Sequence, residues 1–445
     1  MSLQQAFAAA AAYPRLESFD HFREHIPAEW IAEALEATGT ATMRRRRLPA
    51  EQVIWLVLGI ALFRNRSIEE VVDKLDLALP SPHGAVAKSA IPPARLRLGD
   101  EPIKWLFERS AKKWAHASAD RHRWRDLALY GVDGSSLRLP DTESNRAEFG
   151  GWKAAKGDSS NPLVRVVMLM ALRSHLLAAA SFGPYAKTSE IQQTLPFIDH
   201  IPLRSLTILD GLFLSASLLL AIENQEQQRH WMTKAKSNTR MRVLERHSDT
   251  DSLVEMDVSD EARKQDPTLP KTWRARAIRY QKPGFEPRTL LTSLHDPKTF
   301  PEAEVRELYH ERWELELAYD EIKTEMLEAE VTIRSKSPVA VRQELWGILL
   351  GFNLVRLEME RIAEVANVAP TRISFVAALT FIRDEWEWSA ITRSPGAIPK
   401  HLSELRARLK RFILPPRRSQ RSYPRTVKND YRRYPRRKRE AGNGK

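Results

Sequence analysis

Cysteine is absent from this chain of 445 residues. Disulfides are therefore excluded, and so are zinc and iron–sulfur sites that depend on cysteine ligands. Long hydrophobic runs are also absent, because the longest two, at 53–63 and 345–355, have only eleven residues each. A membrane-spanning helix needs roughly 20, and the Ala-rich N-terminus lacks the basic residues that open a signal peptide. We therefore expect a soluble protein with no membrane partner and with two or three domains.

Several motifs of common enzymes are missing as well. The sequence contains no phosphate-binding or dinucleotide-binding glycine motif, no Ser/His/Asp constellation, no histidine pair with metal-ligand spacing and no internal repeat. These absences argue against a nucleotide-dependent enzyme and against a serine hydrolase.

Positive charge is abundant, and it is unevenly distributed. Of the net charge of +13, residues 417–445 carry +10, in a polar segment with Tyr423, Tyr431 and Tyr434 among the arginines. Such a composition predicts disorder in isolation. Arginines can bind phosphates while tyrosine rings stack on bases, so the tail favours a nucleic-acid partner. The alternative is a solubilising tail without a target.

Hydrophobic periodicity predicts four regions. Residues 1–125 are expected to form a helical N-terminal DNA-binding domain. Within it, Arg44–Arg47 precede Pro49 at a helix start, and Ser67 with Glu70 makes a capping box for the next helix. Two short helices behind four arginines favour either a helix-turn-helix DNA reader or a helical bundle with a solvated charge run, and the sequence does not decide between them.

Residues 126–336 predict an α/β core with a mixed sheet. The expected elements are a strand at 127–139, a hairpin at 164–173 and 175–183, a helix at 189–201, a buried strand at 205–211, then a helix and a strand. Residues 237–300 read as a β-rich insertion, and a long helix is predicted from Pro301 to about Leu327. A helical C-terminal region at 337–414 and the basic tail at 415–445 complete the chain.

The predicted long helix contains the acidic stretch YHERWELELAYDEIK, residues 309–323. At about 100° per residue, one face of this helix is apolar; it carries Leu308, Leu315, Tyr319, Ile322 and Met326. The adjacent stripe, expected to be half buried, carries Tyr309, Arg312, Glu316 and Lys323. By the same projection Glu314, Glu321 and Glu325 are predicted to be solvated surface.

A carboxylate between two cations is readily kept ionised. If other carboxylates converge on Glu316, it can help to hold a divalent metal, while Arg312, Lys323 and the Tyr309 hydroxyl bind phosphates. The alternative is an ordinary helix with an Arg312–Glu316 ion pair, which contributes a few tenths of a kcal/mol.

Two further carboxylates support the metal hypothesis. Asp133 follows the apolar strand ALYGV and precedes Gly134, and Asp210 follows SLTIL and precedes Gly211. Each alone is commonly a turn residue, as is expected for Asp141. Together with Glu316 they form a set of three that could meet at one sheet edge, where two metal ions about 3.5–4 Å apart would promote phosphoryl transfer.

At these residues the sequence resembles a known family. The spacing of Tyr309, Arg312, Glu316 and Lys323 is similar to the Tyr/Arg/Glu/Lys signature of DDE transposases of the bacterial insertion element 4 family. The segments around Asp133 and Asp210 resemble the first and second catalytic blocks of that family. The resemblance extends over most of the chain, including the helical N-terminal region.

The resemblance implies an RNase H-like core interrupted by the β-rich insertion. It implies that Asp133, Asp210 and Glu316 bind two Mg²⁺ ions, with Mn²⁺ as a substitute. Tyr309, Arg312 and Lys323 would contact end DNA near the cleaved phosphate.

One departure is that Gly211 stands where family members often have arginine, so the missing contact is expected from Lys234 or Lys236. The family also tends to stack a flipped base on an aromatic residue of the insertion. Trp273 is the candidate, with a core tryptophan as the alternative.

The resemblance therefore implies a transposase that binds the terminal inverted repeats of an insertion sequence, cuts there and transfers the freed strand into target DNA. Its partners would be the double-stranded DNA of the element ends and of the target, and a second copy of the chain in a homodimer that pairs two ends. Two other hypotheses remain, a different RNase H-like nuclease such as a junction resolvase, and a DNA-binding protein with a decayed active site.

Overall fold

The computed structural model describes residues 25–41, 48–74, 86–151, 153–154, 157–158, 161–281, 286–328, 333–392, 406, 410 and 413–415. The arginine run at 44–47 and the basic tail at 417–445 lie outside the described residues, so the hypotheses made for them stay predictions. Within the described ranges no helix has both the length and the apolar character needed to cross a membrane.

Helices precede the first strand, as predicted. Their bounds are α1 Ala28–Ala37, α2 Ala50–Leu62, α3 Ile68–Lys74, α4 Ile91–Leu98 and α5 Glu101–Arg121. The predicted capping box is present, with the Ser67 backbone N–H donating to Glu70 Oε2 (2.7 Å) and the Glu70 N–H donating to Ser67 Oγ (3.2 Å). Because α2 is buried continuously from Val53 to Leu62, it is a core helix and cannot enter a DNA groove. The arrangement favours the helical bundle over the helix-turn-helix.

The core is a nine-stranded mixed sheet, in the order β5-β4-β1-β6-β7-β11-β10-β9-β8. The strands are β1 Ala128–Arg138, β4 Leu163–Ala171, β5 Leu177–Pro184, β6 Ser205–Leu209, β7 Arg229–Lys234, β8 Arg242–Arg246, β9 Asp251–Asp257, β10 Thr272–Tyr280 and β11 Arg288–Thr292, with β2 Lys153–Ala154 and β3 Gly157–Asp158 forming a separate ribbon. Strands β1, β6 and β7 run parallel, and the remaining neighbours are antiparallel. The predicted hairpin is β4–β5.

The inserted strands β8 to β11 extend this same sheet. They join it where β11 pairs with β7, over the three residue pairs Leu290–Lys234, Leu291–Thr233 and Thr292–Met232. Short helices connect the strands; they are α6 Glu143–Phe149, α7 Glu190–Thr194, α8 Ala216–Ile222 and α9 Asp260–Gln265.

After the sheet come α10 Glu302–Leu308 and α11 Trp313–Asp320, and then the helices α12 Pro338–Ala366 and α13 Phe375–Thr392. Helix α12 is buried for most of its length, although it carries several charged residues. Its charges are paired with the N-terminal helices: Arg64 donates to Glu344, and His25 Nε2 lies 2.5 Å from Glu358 Oε1. The helix also approaches α2 closely, since a Cβ at Gly347 would stand 2.6 Å from Val57 Cγ1. Because buried charges are tolerated only when they are paired, α12 fixes the N-terminal helices to the core.

Candidate active site

Asp133 and Asp210 lie side by side. Strands β1 and β6 are parallel, and Val132 opposite Leu209 is the last pair of their ladder. The next residue on each strand is an aspartate. Because opposed residues of neighbouring strands project to the same face of a sheet, the two carboxylates share one face, and they are close enough for Asp210 to raise the pKa of Asp133.

The strand predicted at 127–139 is present as β1, with Asp133 inside it, whereas Asp210 directly follows the end of β6. Strand β6 ends at Leu209, and Asp210 Oδ1 then accepts from the Gly211 N–H (2.5 Å). Strand β1 instead continues to Arg138, because its antiparallel pairing with β4 extends beyond the ladder with β6. Burial decreases along β1 at Asp133, since residues 128–132 are buried and 133–136 are partly exposed.

The helix predicted from Pro301 to Leu327 is a chain of four segments. Tyr309–Arg312 form a 3₁₀ turn between α10 and α11, and Glu321–Met326 form a π-helical turn after α11. The predicted apolar face is buried at every position, that is at Leu308, Leu315, Tyr319, Ile322 and Met326. Single π turns inside helices often accompany functional sites, and this one carries Lys323.

Three contacts hold α11 against β1. A Cβ at Gly131 would stand 2.8 Å from Leu315 Cδ1, so only glycine allows the helix so close. The Tyr319 hydroxyl donates to the Asp133 carbonyl oxygen (2.7 Å), and Lys323 Nζ donates to Ser135 Oγ (2.5 Å). Every second residue of a strand projects to the same face, so the side chains at 131, 133 and 135 share one face. The Asp133 carboxylate therefore lies beneath the helix that bears Glu316.

Glu316 itself is bonded to Arg312. The distance from Arg312 Nη2 to Glu316 Oε1 is 2.7 Å, with both side chains about a third exposed or less, at 19% and 35%. Among the described residues no group of three or more Asp, Glu or His side chains stands close enough to hold a metal ion. In this arrangement Arg312 neutralises Glu316, and the hypothesis that Asp133, Asp210 and Glu316 share two metal ions stays a prediction.

Asp133 and Asp210 nevertheless fit a divalent cation. Burial raises the pKa of Asp133 to about 6, against the lowering effects of the Gly134 N–H and Arg312. A carboxylate that burial makes costly to ionise is stabilised by a bound cation, and oxygen donors suit a hard ion such as Mg²⁺.

Tyr309 and Arg312 adjoin the aspartates. Tyr309 is 5% exposed, more buried than predicted. Burial raises the pKa of its phenol, and both Arg312 and Asp210 act on it. Burial lowers the pKa of the Arg312 guanidinium, but Glu316, Tyr309 and Asp210 together raise it. Tyr309 and Arg312, which belong to the half-buried helix stripe predicted from the sequence, therefore lie next to Asp210.

The prediction that Glu314 and Glu321 are solvated surface is wrong. Arg356 of α12 is fully buried and donates to both Glu321 and His175 Nδ1, the latter over 2.6 Å. His175 Nδ1 therefore accepts, so its Nε2–H donates to Glu314 Oε2 (2.8 Å). This network clamps α11 and the π turn between α12 and the β4–β5 hairpin, and it positions the segment that carries Glu316.

The remaining candidates have mixed outcomes. Lys234 ends strand β7 and Lys236 follows it, and a Cβ at Gly211 would stand 3.1 Å from the Lys234 carbonyl oxygen. Lys236 is exposed, with Nζ 3.4 Å from the Leu214 carbonyl oxygen. Trp273 is 6% exposed and packs on Trp231, with ring centroids 5.4 Å apart. It has no free face for a base, so the core-tryptophan alternative is correct.

Four residues at the site escaped the sequence prediction. Ser135 and Tyr319 anchor the helix, as described above, and Tyr280 and Arg288 approach it from the insertion, where Tyr280 contacts His310 edge-on at 6.2 Å between ring centroids. Hydrophobic periodicity predicts that Tyr319 is buried, but it does not predict the hydrogen bond of its hydroxyl. Nothing in the sequence brings β10 next to Tyr309.

A mixed sheet with aspartates on adjacent parallel strands, covered by a helix that bears a glutamate, defines the RNase H-like fold of DDE enzymes. Comparison with known proteins agrees with this class. The model of the insertion element 4 transposase N-terminal domain matches residues 16–108, and the transposase DDE domain model matches residues 104–354.

A curated relative is similar over almost its whole length. The chain is 35% identical over 437 residues to the transposase InsG for insertion sequence element IS4 of Escherichia coli strain K12, covering 98% of each protein. Among solved structures, the piggyBac transposase synaptic complex with hairpin DNA matches with a TM-score of 0.43 and 13% identity, over 93% of this chain and 87% of that one. That likeness is too distant to support an argument.

The chain belongs to the insertion element 4 family of DDE transposases, and it is a DNA transposase with an RNase H-like core. Enzymes of this family generally use divalent metal ions.

Proposed function

We propose that this transposase binds the terminal inverted repeats of its insertion sequence and catalyses metal-dependent strand cleavage followed by strand transfer, in a cut-and-paste reaction. The observation that carries the proposal is the pairing of Asp133 with Asp210 on the sheet face covered by the helix of Glu316. Two adjacent carboxylates in a partly buried position repel each other, and a bound cation offsets this repulsion.

In this proposal Asp133, Asp210 and Glu316 hold two Mg²⁺ ions, with Mn²⁺ as a substitute. When bound, the ions supply an activated oxygen nucleophile and stabilise the leaving oxygen of the phosphodiester. Glu316 has to release Arg312 to serve as a ligand. The released guanidinium is then available to bind a DNA phosphate in a bidentate manner.

The chain contributes position and charge. Arg312, Lys323 and the Tyr309 hydroxyl would hold the backbone next to the cleaved phosphate, and the Ser135 contact orients Lys323. Lys234 and Lys236 would contact DNA on the far side of Asp210. Fixing the reacting groups in this way removes much of the entropic barrier.

The partners in this proposal are double-stranded DNA at the element ends and at the target, and a second copy of the chain. The N-terminal region at 1–125 and the tail at 415–445 would add DNA contacts around the core at 126–336. A homodimer that pairs two ends would act on the bacterial nucleoid in the cytoplasm.

A strand-cleavage assay tests the proposal, with a duplex carrying the inverted repeat that borders the gene. Asp210→Asn should lower the rate by about 100-fold or more, since a metal ion contributes several kcal/mol to the transition state. The matched control is Asp141→Asn, because Asp141 pairs only with Arg146 among the described residues. Cleavage by Asp210→Asn at the wild-type rate would overturn the proposal.

A further inference from the structure

The end of the β10–β11 hairpin lies against the catalytic segment. Tyr280 and Arg288 are the last cross-strand pair before the hairpin loop, so their side chains project to the same face of the sheet. The Tyr280 ring meets the His310 ring edge-on, at 6.2 Å and 74°. The insertion therefore touches the 3₁₀ turn Tyr309–Arg312 with an aromatic and a cationic side chain.

Arg288 belongs to the electrostatic surroundings of the site. The Tyr309 phenol, buried beside Asp210, is acted on by Arg312, Tyr280 and Arg288 together. Two guanidinium groups thus act electrostatically on Tyr309. One comes from the catalytic segment and the other from the insertion.

The two guanidinium groups differ in what they are bonded to. Arg312 is bonded to the Glu316 carboxylate. Arg288 is exposed, and within the described part of the chain it is not paired with a carboxylate. A guanidinium has five N–H donors, so most of those on Arg288 stay open to a further acceptor.

Gly211 strengthens this argument. The residue after Asp210 has no side chain, and the Lys234 carbonyl oxygen lies only 3.1 Å from where a Cβ would stand. Position 211 itself can therefore supply no cation to this side of the aspartates. Arg288 is the cross-strand neighbour of Tyr280, whose ring contacts His310 of the catalytic segment.

We propose that Arg288, oriented by Tyr280, is a DNA-binding residue that holds the backbone phosphate next to the cleaved one, from the insertion side and opposite Arg312. The ligand is a DNA phosphodiester, which accepts bidentate hydrogen bonds from a guanidinium. The inference rests on the proposed function, since it needs the DNA end to lie at Asp133 and Asp210.

Fluorescence anisotropy with the labelled inverted-repeat duplex tests this inference. Arg288→Ala should bind roughly ten-fold more weakly and should reduce the slope of log affinity against log salt by about 1. Arg288→Lys should recover part of the affinity, and Tyr280→Phe should show a smaller loss. Arg279→Ala is the matched control, because Arg279 is an exposed arginine on β10, one residue before Tyr280.

A second duplex locates the contact. It carries a neutral methylphosphonate in place of the phosphate next to the cleavage site. The wild type should bind it about as weakly as Arg288→Ala binds the unmodified duplex, and Arg288→Ala should lose little further affinity on it. Equal losses for Arg288→Ala and Arg279→Ala, or additive losses with the methylphosphonate, would overturn the inference. If the wild type binds and cleaves the duplex while Arg288→Ala keeps its salt slope, the inference fails and the proposed function stands.

Discussion

The backbone of Gly131 lies against the side chain of Leu315, so that a Cβ at position 131 would be 2.8 Å from Leu315 Cδ1 and 2.7 Å from Leu172 Cδ2. Gly131 is two residues before Asp133, and Leu315 is one residue before Glu316. This contact therefore limits how far the glutamate helix stands from the aspartate strand, together with the Tyr319 and Lys323 hydrogen bonds.

Gly131→Ala should displace α11 from β1. Overpacking of this kind costs about 1–3 kcal/mol of stability, and a shift of the helix should lower strand cleavage further than the stability loss explains. Chemical denaturation and the cleavage assay measure the two effects. The double variant Gly131→Ala/Leu315→Ala should be less destabilised than the sum of its single variants, because the smaller side chain makes room for the methyl group.

Gly347→Ala is the control for this prediction. It creates a similar clash with Val57, at 2.6 Å, between α2 and α12. We expect comparable destabilisation with cleavage by the folded protein unchanged. Equal effects of both substitutions on cleavage would contradict the positioning role of Gly131.

Arg312→Ala should have opposite effects on two ligands. In the DNA-free protein it releases Glu316, so Mn²⁺ binding should tighten by about two- to five-fold, the range expected for loss of one partly exposed ion pair. Its affinity for the inverted-repeat duplex should fall. Calorimetric titration with Mn²⁺ measures the first effect, and anisotropy measures the second.

The matched variant for this experiment is Arg306→Ala. Arg306 pairs with Glu302 at the same i,i+4 spacing, with Nη1 3.4 Å from Oε1, one helix earlier. It should leave Mn²⁺ binding unchanged, while Glu316→Gln should weaken it. Weaker Mn²⁺ binding by Arg312→Ala would show that the ion pair does not compete with the metal.

Arg356→Leu should destabilise the protein strongly. Its removal leaves Glu321 and His175 without their buried partner, and breaking a buried pair typically costs about 3–5 kcal/mol. Lys88→Ala is the contrasting variant, since the Lys88–Glu69 pair is 83% and 41% exposed. It should change the free energy of unfolding by less than about 0.5 kcal/mol. Similar values for both variants in urea denaturation would contradict this account.

The free energy of unfolding should decrease as the pH falls, because His230 is buried in its neutral form. Burial, assisted by His295, lowers the pKa of His230 from 6.5 to about 4. The unfolded chain therefore takes up this proton first as the pH falls. The contribution of neutral His230 is intact above about pH 6.5 and is lost between 6.5 and 4, by about 3 kcal/mol at most. Melting temperatures of wild type and His230→Gln across this window should converge at low pH, and parallel curves would refute the assignment.

Deletion of residues 417–445 tests the basic tail. If its arginines contact phosphates, the truncated protein should show a smaller salt dependence of DNA affinity, because fewer counterions are released on binding. Anisotropy at several salt concentrations measures the slope. An unchanged slope would leave the tail as a solubilising segment.

The sequence predicted those parts of the structure that depend on local periodicity. The buried run at 128–132, the β4–β5 hairpin and the apolar face from Leu308 to Met326 follow from alternation and from the helical repeat. Asp210 was recognised because a buried strand, an acidic residue and a glycine follow one another directly.

The predictions fail where a residue's surroundings depend on an element that is distant in the sequence. Glu314 and Glu321 are not solvated because α12 brings a buried arginine against them, and a helical projection contains no information on the neighbouring helix. The same holds for Tyr280 and Arg288, whose approach to Tyr309 depends on how the inserted strands extend the sheet.

The junction between β7 and β11 has a mechanical consequence. Three ladder pairs join β11 to β7, and β7 is also the direct neighbour of β6, at whose end Asp210 stands. A displacement of the outer strands is therefore passed through β11 and β7 to the strand that precedes Asp210. DNA bound at the far edge of the sheet would in this way change the spacing of the carboxylates.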